Sequence, residues 1–67
     1  MYADIQIHHS LIDGINQFAM ENNVMASRVA GAPNTYRFEG EYEDLLNLLT
    51  AEFGMTAVEA DLEIVDQ

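Results

Sequence analysis

Between residues 35 and 54 the hydrophobic period of the chain changes from two to about 3.6, and this change narrows the choice of fold more than anything else in the sequence. Tyr36 and Phe38 alternate with Thr35, Arg37 and Glu39, the pattern of a strand with one buried face. After Gly40, residues Tyr42, Leu45, Leu46, Leu49 and Phe53 fall at helical spacing, so a strand runs directly into a helix. Glu41, Glu43 and Asp44 lie in the first turn of that helix, where exposed backbone N–H groups favour negative charge. Gly54 is placed to end it in the left-handed conformation, with Met55 returning onto Leu49.

The other segments are read by the same periods. Ala3, Ile5 and Ile7 alternate with Tyr2, Asp4, Gln6 and His8, which predicts a first strand over 2–8. Ser10 is expected to cap a helix, with Asp13 as capping partner and Leu11, Ile12, Ile15, Phe18 and Ala19 on one face. Gly14 weakens that helix by about 1 kcal/mol relative to Ala, and Asn22-Asn23 stops it. Residues 24–30 read as a strand, and Gly31-Ala32-Pro33-Asn34 as the turn of a hairpin with the strand at Thr35. Over 56–65, Val58, Ala60, Leu62 and Ile64 alternate with Glu59, Asp61 and Glu63, which predicts a final strand.

The expected order, β-α-β-β-α-β, is that of a compact ferredoxin-like α+β fold. It implies a four-stranded antiparallel sheet, first and third strands central, with two helices on one face. Ile5, Ile7, Tyr36, Phe38, Val58, Leu62 and Ile64 would meet Ile12, Ile15, Phe18, Leu45, Leu46, Leu49 and Phe53 in the core. A competing arrangement omits the strand at 24–30 and leaves three strands with two helices.

Residues 1–67 make a single domain, and a chain so short buries only about 60% of the surface its unfolded form exposes. There is no cysteine, hence no disulfide or thiolate metal site, and stability must come from apolar burial or from a homodimer. At 49% apolar and 21% charged residues, the chain is expected to fold rather than remain disordered. No apolar run reaches the roughly 20 residues of a membrane span, and no signal-peptide pattern opens the chain, so a cytoplasmic protein is expected.

Twelve acids face only Arg28 and Arg37, there is no lysine, and the formal net charge is -10. Direct contact with nucleic acid or anionic membrane is thereby disfavoured, since both rely on clustered Lys and Arg. The complement is a basic protein. Catalysis finds little support. His8 and His9, adjacent on a strand, would point to opposite faces and could not easily share a metal, so a polar pair closing the strand is expected, with a metal site made with Asp4 or another chain as the alternative. No Gly-x-Ser-x-Gly elbow, phosphate-cradling glycine loop or calcium loop is present, and carboxylates this numerous are no sign of an acid/base pair. The expectation is a non-enzymatic protein without cofactor or metal.

On the predicted last strand, Glu59, Asp61 and Glu63 would project to one side about 6.7 Å apart. That is half the linear density of phosphates along one DNA strand, spaced about 3.4 Å. Asp4, on the neighbouring strand, would extend the ladder, and these four residues are the expected partner-binding set. Edge protection and solubility are the plainer uses of such acids, but surfaces serving those ends ordinarily mix both signs. In size, acidity and lack of cysteine the chain resembles the small phage-encoded inhibitors of host machinery, including anti-CRISPR, anti-restriction and other DNA-mimicking proteins. The resemblance is one of whole-chain character, without a shared motif. It implies an inhibitor acting in the host cytoplasm by occupying a basic nucleic-acid groove. The alternative is a small homo-oligomeric structural or ligand-binding module whose acids solvate its surface.

Overall fold

The computed structural model describes residues 1–66. Three strands, β1 (Tyr2–Gln6), β2 (Met25–Arg28) and β3 (Thr35–Glu39), form an antiparallel sheet in the order β1-β3-β2. Ala3 and Ala26 both lie opposite Phe38, and Ile5 opposite Tyr36, which puts the apolar set of each strand on one face. The helical elements cover that face. A 3-10 segment (His9–Gly14) leads into α1 (Ile15–Glu21), and α2 (Tyr42–Asn47) continues as a wide π-helical turn (Leu48–Glu52) before α3 (Ala57–Glu63).

The core follows from these faces. Ile5, Ile7 and Phe38 of the sheet side meet Ile15 and Ala19 of α1 and Leu45, Leu48 and Leu49 of the α2 unit. Phe53 stands edge-on to Phe18, with ring centroids 5.9 Å apart, and closes the gap between the two helical units. Gly54 has φ +68° and the Met55 N–H reaches the Leu49 carbonyl at 3.1 Å, so the left-handed ending expected of the sequence is present. The hairpin turn uses Gly31 and Asn34 at positive φ, and Asn23 does the same after α1.

The four-stranded ferredoxin-like layout with two helices is not what forms: the sheet has three strands, and the expected last strand is a third helix, α3. Local hydrogen bonding decides the matter. Thr56 Oγ1 accepts the Glu59 N–H at 3.1 Å while the Glu59 carboxylate accepts the Thr56 N–H at 3.0 Å, a reciprocal cap that starts a helix. Ala60, small and fully buried, lets the helix sit close, whereas Val58 and Leu62, expected in the core, are 71% and 78% exposed. What remains of the strand is one antiparallel bridge, Tyr2 to Val65, on the outer edge of β1.

Ser10 is likewise not the cap expected of it. The His8 ring accepts the Ser10 N–H at 3.2 Å and starts the 3-10 segment, while α1 begins after Gly14.

Candidate acidic interaction surface

The acids are not spread evenly over this scaffold. Nine of the twelve lie in residues 39–66, where there is no Lys or Arg, and residues 22–38 contain none while holding both arginines. Six of the nine, Glu43, Asp44, Glu52, Glu59, Asp61 and Glu63, lie in α2, its π turn and α3; Glu41 is the N-cap residue of α2, Glu39 ends β3 and Asp66 follows α3. Glu41, Glu43 and Asp44 stand at the start of α2, as dipole complementarity favours. The Tyr42 hydroxyl donates to Asp61 at 2.6 Å, which fastens that start to the middle of α3 and holds the phenol proton above its usual range. The contact brings Asp61 beside the acids that open α2, while the remaining acids of α3 are set by the turn of that helix.

Helix formation changes what the four expected partner-binding residues can do. Residues two apart in a helix are turned about 200° from each other, so Glu59, Asp61 and Glu63 make no ladder. Glu59 and Glu63 stand one turn apart on the same flank of α3, and Asp61 lies across the helix against Tyr42. The backbone N–H of Thr56 holds the Glu59 carboxyl below its ordinary range. Asp4 lies on the open sheet face, away from α3, where Arg37 grips it with two hydrogen bonds of 2.8 and 3.0 Å. That grip lowers its pKa, hydrogen bonding outweighing the opposing cost of burial. Asp4–Arg37 is the one ion pair among the described residues.

Between the acidic flanks of α3 stands a feature that the strand reading hid. Val58 and Leu62, one turn apart, form a short apolar ridge facing solvent. The sequence does carry the signal for it, since Thr56-x-x-Glu59 is a capping box and a helix starting there turns Val58 and Leu62 away from Ala60.

Elsewhere, a hollow of about 400 Å³ opens beside α1, lined by Ile7, Leu11, Ile15, Phe18 and Phe53, with Ser10 and Glu52 at its rim. The Ser10 hydroxyl lies 2.8 Å from His8 Nδ1, but that nitrogen is also the cap of the 3-10 segment. The two histidine rings do not point to opposite faces as a strand would place them; β1 ends at Gln6 and the rings lie 4.3 Å apart, tilted by 31°. Among the described residues no three His, Cys, Asp or Glu side chains come together as a metal set. No helix among the described residues is long and apolar enough to cross a membrane. The chain matches no protein-family model, no curated protein and no solved structure.

Proposed function

We propose that this is a non-enzymatic acidic protein that binds and inhibits a basic host protein, using the side of the molecule made by α2 and α3. The observation that carries the reading is the segregation of charge: nine acids and no cation in residues 39–66. Few of these acids are needed for packing, since none is buried. A field of one sign on one side steers association with a surface of the other sign and gives little to a fold. The groove of a nucleic-acid-binding protein is such a surface. The match is one of charge and of the apolar ridge at its centre, and it does not rest on phosphate-like spacing.

The test begins with a partner captured from host lysate. Glu59→Gln, Asp61→Asn and Glu63→Gln together remove three charges from α3, and Gln at 59 retains the cap. Affinity should fall and its salt dependence should flatten, while circular dichroism remains that of the parent. DNA or RNA should compete with the protein for the partner. Simultaneous binding of both without mutual weakening would exclude occupation of the nucleic-acid groove.

A further inference from the structure

The sheet has two edges, and they are treated differently. On the outer side of β1, Tyr2 and Val65 exchange backbone hydrogen bonds of 3.0 and 2.7 Å, so the C-terminal tail closes part of that edge. β2 is the opposite edge, and no element of the described chain pairs with its outer side. Val29 N–H donates to the Thr35 carbonyl at 2.9 Å, and Ser27 and Met25 lie opposite Arg37 and Glu39. Alternate residues of an antiparallel strand exchange both bonds with their partner. Met25, Ser27 and Val29 therefore point their backbone groups at β3, and Ala26 and Arg28 point theirs at solvent.

Natural edges are commonly blocked by proline, lysine, a bulge or an inward charge. β2 has no proline, no lysine and a regular register; its one charge, Arg28, lies on the face of Ala26 but is exposed, and its Met25 is 77% exposed. Charge decides what can meet it. A second copy brings a charge of -10 and is repelled by every acidic surface, but residues 22–38 carry both arginines and no acid. The edge is the one part of the sheet where two copies approach without opposing carboxylates of their own strands.

We propose that two copies pair through β2, antiparallel, about a two-fold axis at Ser27, and so join two three-stranded sheets into one. This rests on the sheet edge alone and is independent of what binds the acidic helices. Centring on Ser27 sets Ala26 against the second copy's Arg28, and both outward residues of each strand then find backbone partners. It also keeps the two arginines from facing each other, and it sets exposed Met25 against the second copy's Val29 on the open face. Centring on Ala26 or Arg28 instead leaves outward groups of the other residue without a partner inside the strand. The two Ser27 residues meet at a non-hydrogen-bonded position, where Cα atoms lie about 4.5 Å apart, within the range a disulfide spans.

The chain has no cysteine, so Ser27→Cys introduces a single thiol whose reaction reports the pairing. Under mild oxidation it should form a disulfide-linked dimer roughly tenfold or more faster than Gln17→Cys, an exposed thiol on α1, because pairing raises the effective concentration of one thiol at the other. Adding Arg28→Glu should bring the rate down to that of the control. Sedimentation of the unaltered protein should show the dimer fraction rising with salt, as repulsion between copies is screened. Equal rates for Ser27→Cys and Gln17→Cys, in variants whose circular dichroism matches the parent, would overturn the pairing and leave the edge to an extended peptide of another chain.

Discussion

On the open face of the sheet Asp4 accepts both arms of the Arg37 guanidinium, Nε at 2.8 Å and Nη2 at 3.0 Å, across the β1–β3 register that sets the two residues opposite each other. The Tyr2 ring lies 4.0 Å from the same guanidinium, so one arginine holds a carboxylate and an aromatic face of β1. In a molecule of such negative charge this cation is spent inside the sheet.

That pair predicts a pH dependence. Arg37 holds the Asp4 pKa below its unfolded value, chiefly by hydrogen bonding. The stabilisation is therefore complete above the ordinary aspartate range and is lost as pH falls through the folded-state value. Both side chains are partly exposed, so solvent screening keeps the contribution small. Carboxyl-carbon NMR should place the Asp4 midpoint below the ordinary range, and Arg37→Gln should raise it. An unchanged midpoint in Arg37→Gln would show that the pair does not form in solution.

The cap of α3 gives a second prediction. Thr56→Ala removes the oxygen that receives the Glu59 N–H and should cost about 1 kcal/mol in chemical denaturation. Thr56→Ser separates helix from strand, because serine caps helices at least as well as threonine but is the poorer strand former. Retained stability in Thr56→Ser fits the helix, and a loss like that of alanine counts against it.

These two sites also mark how far the sequence can be read. β1, β3 and the helix after Gly40 follow from periodicity because each buries one face, as Ala3, Ile5, Phe38, Leu45 and Leu49 do, whereas β2 has no buried residue and is legible through the turn at 31–34 that pairs it with β3. At 56–65 the same rule misleads. Val58, Ala60, Leu62 and Ile64 alternate with acids, yet a helix there buries Ala60 and turns Val58 and Leu62 outward. Alternation identifies a strand only when the apolar set is the buried set. The capping pair Thr56 and Glu59 outweighs it here, and with the strand goes the carboxylate ladder. Charge segregation between residues 22–38 and 39–66 is visible in the sequence, but which acids share a side depends on the Tyr42–Asp61 contact.

Core truncation distinguishes the two faces of the helical layer. Leu48, the first residue of the π turn, is fully buried, so Leu48→Ala should cost roughly 2–5 kcal/mol and could unfold a domain of this size. Leu62→Ala, on the exposed ridge of α3, should fall within about 0.5 kcal/mol of the parent. Equal losses at the two positions in thermal or denaturant unfolding would return Leu62 to the core and α3 to a strand.

The last prediction concerns Gly40, where β3 hands over to α2. A Cβ at this position would lie 3.0 Å from Val24 Cγ1 and 3.4 Å from the Asn23 carbonyl oxygen, so the residue is small because the turn between α1 and β2 passes against it. Val24 is itself buried, and its N–H is tied to Ala19 at 3.0 Å, which leaves it little room to retreat. Gly40→Ala should therefore destabilise by about 1–3 kcal/mol, as overpacking does. The cost comes from contact and not from backbone strain, so shortening the neighbour should relieve it. Val24→Ala alone leaves a cavity and is destabilising, yet Gly40→Ala combined with Val24→Ala should cost less than the sum of the single changes, because the new methyl occupies space that the valine vacates. A double-mutant cycle by urea unfolding measures that coupling, and strict additivity would mean that the two junctions do not touch.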